Sequence, residues 1–196
     1  MNARLLLFLL LGCAQIAVPV YLIHREETTL ARGRLFKFKT VPVDPVDALR
    51  GRYVALNFAA ATVPDAAVGS RQKTPLAPVY ATFVEDAAGY AQVGALDDLP
   101  PAPGPGRDAT LRVPLRKGWR WTQLHQSGPG WTIELPFDRY YMEEHAAPRA
   151  EAAYRHNAGA GKETYALVAI YRGHAAIKDL YVDGAPIEAY RGAPER

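Results

Sequence analysis

A run of 19 residues without a charged side chain, from position 5 to position 23, limits this chain more than any other feature. Wound as an α-helix, it would be about 28 Å long, enough to cross the hydrocarbon core of a bilayer. Arg4 stands before it, and His24, Arg25, Glu26 and Glu27 close it. Few helices of soluble proteins are apolar on every face, so burial in a protein core is the weaker expectation. The run is expected to lie in the lipid bilayer through residues 5–23 as an uncleaved anchor.

Two other fates of the segment stay open. A cleaved signal peptide would end in a small-x-small site, and none stands near Ile23. The segment Leu10-Leu11-Gly12-Cys13 is similar to a lipobox, in which Cys13 would become the acylated first residue. Cleavage there would leave residues 14–23, still apolar, at the new terminus. Arg25, Arg32, Arg34, Lys37 and Lys39 follow the run against Arg4 before it. That bias alone would keep the body cytoplasmic, although long domains are translocated largely regardless of such charges.

Beyond the run the chain has an ordinary globular balance, with 23 Lys and Arg against 20 Asp and Glu and a net charge of +3. The basic residues are interleaved with acids, so nucleic acid is not an expected partner. The only Cys, Cys13, lies in the apolar run, which excludes a disulfide scaffold. Sixteen Gly and sixteen Pro favour short strands joined by turns.

The expected fold class is mainly β (α+β): one N-terminal transmembrane helix, then a compact antiparallel β body, in one piece or two lobes, with one short helix. The divisions are an anchor at 1–24, a polar juxtamembrane helix at 25–33 stopped by Gly33, and a β-rich domain at 34–196. Period-two patterns predict strands at 34–42, 52–60, 78–85, 90–95, 119–126 and 131–137, and a hairpin of 164–172 with 175–182 around Gly173. In the second of these, Val54, Leu56 and Phe58 share one face; in the sixth, Trp131, Ile133, Leu135 and Phe137 do. Residues 44–51 read as one capped helical turn, with Asp44 as N-cap and Gly51 as stop. Residues 97–109, rich in Pro and Gly, read as an irregular surface loop or a linker between lobes. The one body helix is expected at 143–157.

Catalytic constellations are scarce. The only serines are Ser70 and Ser127, and no Ser lies upstream of residue 70 to serve a signal-peptidase-like site. The five His include no pair at i,i+4 and no His-Glu-x-x-His, so no metal site is expected. Neither 128–130 nor 159–161 has the strand–loop–helix setting of a phosphate loop, and no cofactor is expected. Two groups stand out as candidate sites. Asp44, Asp47, Arg50, Arg52 and Tyr53 form a polar cluster that is either surface pairing or a recognition surface whose guanidinium forks meet carboxylates or phosphates. Trp119, Trp121, Arg139, Tyr140, Tyr141, Glu143 and Glu144 form an aromatic and acidic group that is either core and rim packing or a docking groove.

The stretch Pro42-Val43-Asp44-Pro45, leading through Leu49-Arg50-Gly51-Arg52-Tyr53 into Val54-Ala55-Leu56-Asn57-Phe58, resembles the GDYXXLXY family of bacterial proteins. The resemblance extends to Leu135-Pro136-Phe137-Asp138-Arg139-Tyr140-Tyr141-Met142-Glu143-Glu144 and to Asp179-Leu180-Tyr181-Val182-Asp183-Gly184. Arg52 replaces the family's Asp and Phe58 its final Tyr, so no essential carboxylate is carried to position 52. The resemblance implies an extracytoplasmic, periplasmic domain tethered by one helix and associated with a multi-pass integral membrane protein partner. The expected function is therefore a membrane-tethered, non-enzymatic accessory or interaction domain. A small hydrolase using Asp138, Glu143 and Glu144, or a structural envelope protein, are the alternatives.

Overall fold

In the computed structural model, which describes residues 3–41, 53–63, 68, 78–102, 104–121, 126–141 and 147–192, the chain is mostly β. The apolar run and the polar segment after it form one continuous helix, α1 (Ala3–Arg32), which passes through Pro19 without a break. A proline inside a helix removes a hydrogen bond and costs about 3 kcal/mol in water, yet is tolerated in membrane-spanning helices. The helix stops at Gly33 as expected. The Gly33 N–H donates to the Thr29 carbonyl at 2.8 Å. A Cβ at Gly33 would lie 2.4 Å from that carbonyl and 3.0 Å from the Ala169 methyl, so a side chain has no room where the helix turns into the sheet.

Two five-stranded antiparallel sheets make up the body. The first contains β1 (Arg34–Val41), β3 (Asn57–Phe58), β10 (Thr164–Tyr171), β11 (His174–Val182) and β12 (Ala185–Pro186), in the order β12-β11-β10-β1-β3. The second contains β4 (Thr62–Val63), β5 (Pro78–Glu85), β6 (Ala91–Asp97), β7 (Thr110–Trp121) and β8 (Gln126–Ile133), in the order β4-β8-β7-β5-β6. A bridge between Lys37 of β1 and Tyr90, the residue before β6, ties the first sheet to the second. A separate ribbon pairs β2 (Tyr53–Ala55) with β9 (Arg139–Tyr141), and one short helix, α2 (Ala147–Gly159), completes the described body.

Alternation along the strands builds the core. Phe36, Phe38 and Thr40 of β1 point inward while Lys37 and Lys39 point out; Val79, Ala81 and Phe83 of β5 and Leu111, Val113 and Leu115 of β7 face them. Phe38 is the hub. Its ring meets those of Phe36, Phe58, Phe83 and Phe137 edge-on, with centroids 5.0 to 6.4 Å apart. Because Phe83 belongs to the second sheet and Phe38 and Phe58 to the first, the buried side chains form one cluster shared by both sheets. Deep in it, the Thr40 hydroxyl donates to that of Thr164 at 2.6 Å.

Several expected boundaries are corrected. Of the strand expected at 119–126, residues 119–121 are the end of β7, which reaches back to Thr110, and Gln126 is the first residue of β8, with 122–125 outside the described residues. The strand expected at 131–137 ends at Ile133. Pro114 of β7 explains the stop: its carbonyl accepts the Glu134 N–H at 3.1 Å, but with no N–H of its own it cannot return the second bond of the pair. Burial alternation survives the lost ladder, because Phe137 remains buried and Leu135 packs against the core. The strand expected at 52–60 is interrupted at Leu56, where the chain changes partners from β9 to β1. Residues 97–109 connect β6 to β7 within one sheet, which overturns the linker reading, and they contain a 3-10 turn, Pro105–Ala109. The body helix is described over Ala147–Gly159 and runs two residues past the expected end at 157, while 143–146 of the expected helix lie outside the described residues. The hairpin of β10 and β11 is as expected, with Arg172 (φ 47°) and Gly173 (φ 83°) both left-handed, as a tight two-residue turn requires.

Candidate interaction surface

The β2–β9 ribbon brings together members of both groups singled out in the sequence. Tyr53 lies opposite Tyr141, Val54 opposite Tyr140 and Ala55 opposite Arg139. The Leu56 N–H donates to the Asp138 carbonyl at 2.8 Å, after which Leu56 and Phe58 turn into the core. Phe58 packs on Phe38 and Phe137. The tyrosine-to-phenylalanine segment 53–58 therefore joins a surface ribbon to the hydrophobic centre. On the ribbon, Tyr141 is 70% exposed, Arg139 is exposed and Tyr140 rests partly on the core. Arg139 Nε stands 3.6 Å from the Asp138 carboxylate, an exposed pairing worth about 0–1 kcal/mol. Packing of α2 against β2 supports the ribbon, and α2 is itself held by Tyr154, which is buried and whose hydroxyl donates to the Val41 carbonyl at 3.5 Å.

The other candidates are placed differently. Asp44, Asp47, Arg50, Arg52, Glu143 and Glu144 lie outside the described residues, as does the expected helical turn at 44–51. Trp119 and Trp121 belong to the last stretch of β7, in register with Pro129 and Gln126 of β8. Trp131 packs against the core. Among the described residues, no group of three or more His, Cys, Asp or Glu side chains is placed to hold a metal ion.

A second constellation, not singled out from the sequence, lies on the outer face of the first sheet. Tyr165 and Tyr181 are cross-strand partners whose rings stack with centroids 5.0 Å apart, and Tyr90 meets Tyr165 edge-on at 6.2 Å. The ammonium groups of Lys37 and Lys39 sit over Tyr165 and Tyr90, at 5.4 and 5.6 Å from the ring centroids. The Tyr90 hydroxyl donates to the Glu163 carboxylate. Burial, followed by that carboxylate, pushes the Tyr90 phenol up to about 12. The legible signal was the outward half of each alternation: Lys37 and Lys39 on β1, Tyr165 on β10, Tyr181 on β11. Only the strand register shows that they meet.

No curated protein and no solved structure matches the chain significantly. The profile of the family described as GDYXXLXY protein matches residues 15–180, a stretch that runs from the middle of the apolar segment nearly to the end of β11 and takes in the β2–β9 ribbon. The chain belongs to the GDYXXLXY family.

Proposed function

We propose that this protein is a single-pass, membrane-tethered accessory domain that acts by binding rather than by catalysis, with its body on the extracytoplasmic, periplasmic side and an integral membrane protein as partner. The observation that carries this reading is the state of α1. Its window of mean hydropathy 2.0, within Leu7–Arg32, has no part buried in the rest of the protein, while its last turns are packed on the body. Helices of that length and composition find their apolar surroundings in lipid. A body seated on such a helix meets other membrane proteins in a restricted orientation, which lowers the entropic cost of docking. The β2–β9 ribbon is the surface assigned to the partner, because it presents Tyr141 and Arg139, residue types that anchor interfaces.

The test is affinity purification of the full chain from detergent-solubilised membranes, compared with a Tyr141→Ala, Arg139→Ala double variant. Recovery of a multi-pass protein in fixed ratio, reduced in the variant while its thermal melting is unchanged, is the expected result. Recovery of the chain by itself, or of the same companion in equal amount with both proteins, would overturn the assignment.

A further inference from the structure

The seat of α1 determines which part of the body lies nearest the apolar segment. β1 begins at Arg34, opposite Ile170, so the turn joining β10 to β11 stands at the same end of the sheet as Gly33. Thr29 is buried there, in the last turns of a helix that packs against both strands. His174, the first residue of β11, is close enough to Arg25 and Glu26 to feel their charges. Its imidazole lies below the usual histidine range, through burial first and Arg25 second. The apolar run ends at Ile23, only about 3 Å further along the helix axis than Arg25. The turn therefore sits level with the end of the apolar run.

This same turn forms one wall of a cavity of about 310 Å³ lined by Gly104, Arg107, Asp108, Tyr171 and Arg172. The opposite wall is the 3-10 turn that carries Arg107. Asp108 Oδ1 accepts the backbone N–H of Arg172 at 3.1 Å and so ties the two walls together. Arg172 occupies a left-handed backbone position where Gly or Asn is the usual choice, and its guanidinium lies over the Tyr171 ring at 5.2 Å. Two exposed arginines, Arg107 and Arg172, thus line one cavity with Asp108 as the one acidic residue among the described lining. Planar forks of this kind match the oxygens of a phosphate in bidentate fashion.

We infer that the cavity holds the phosphate of an anionic lipid headgroup, gripped by Arg107 and Arg172 at the membrane surface beside the anchor. The assignment rests on α1 spanning the bilayer, since that is what brings the cavity to headgroup level. A lipid rather than a soluble anion is chosen because the turn that walls the cavity stands at the end of the sheet where α1 enters it, on the two strands against which the helix packs.

The full chain is reconstituted into phosphatidylcholine vesicles containing a minority of phosphatidylglycerol, and the lipids retained after gentle release are identified by native mass spectrometry. Phosphatidylglycerol is expected to be enriched over phosphatidylcholine by roughly tenfold, in keeping with two cations at the surface. Arg107→Ala with Arg172→Ala should abolish the enrichment, whereas Arg112→Ala with Lys178→Ala, which removes equal charge elsewhere on the body, should preserve it. Equal enrichment in the first pair, equal loss in both pairs, or complete displacement by inorganic phosphate would overturn the inference. Extraction of the protein from the vesicles by alkaline carbonate would instead overturn the anchor itself, so the two failures are distinguishable.

Discussion

The two ends of α1 invert the usual relation between hydrophobicity and burial. In its first part, Leu7, Phe8 and Ile16 are 70%, 72% and 66% exposed; near its end Thr29, a polar residue, is 2% exposed. The side chain of Thr29 satisfies itself by donating to the Arg25 carbonyl at 2.9 Å, so it can be buried against the sheet at little cost. The leucines have no such outlet within the protein. Exposed apolar area costs about 25 cal/mol per Å² in water, which is the physical ground for the proposed anchor. Under the proposed anchor one helix serves two surroundings, and Gly33 marks where the helix hands over to the β body.

Replacing a side chain on each side of that divide gives the widest separation. Phe38→Ala removes the hub of the aromatic cluster and should destabilise the body by about 3–5 kcal/mol. Leu10→Ala, on the exposed part of α1, should leave unfolding within about 0.5 kcal/mol of the parent. Urea titrations in detergent, followed by tryptophan fluorescence, measure both. A comparable loss in the two variants would show that the apolar segment is part of the body's core after all.

A smaller effect probes the handover. Gly33→Val places a branched side chain against the Thr29 carbonyl and the Ala169 methyl, and should cost about 1–3 kcal/mol. The loss should be concentrated where α1 meets β10 and β11, so hydrogen exchange should quicken in the β10–β11 hairpin before it does in β5 and β7. Uniform quickening would mean that the helix and the sheets unfold as one unit.

Much of this arrangement was legible in the sequence because it is written in local pattern. The uncharged run, the Gly33 stop, the alternation of Phe36 and Phe38 with Lys37 and Lys39, and the hairpin around Gly173 each depend on a few neighbouring residues. What was missed depends on partners distant in the chain. Leu111, Val113 and Leu115 alternate clearly with Arg112 and Arg116, but Pro114 in their midst disguised a strand; its place where the β8 ladder ends makes it tolerable. The end of β8 could not be read from its own residues, since the cause is that same proline on the neighbouring strand. For the candidate site, Tyr53 and Tyr141 were both singled out, yet nothing between them in sequence says that they are opposite each other. The Tyr90, Tyr165 and Tyr181 row, and the Arg107 and Arg172 cavity, were invisible for the same reason. Their members come from separate strands and turns, and only tertiary register assembles them.

The chain carries its own probe for the central claim that the exposed part of α1 belongs in the bilayer. Cys13 is the only cysteine and lies midway along the apolar run, exposed with respect to the protein. In intact vesicles holding the full chain, a membrane-impermeant maleimide should fail to label Cys13, and the same sample dissolved in SDS should label fully at the mass of the uncleaved chain. Labelling in the intact vesicles, or a thiol that stays blocked in SDS with residues 1–12 missing, would contradict the account.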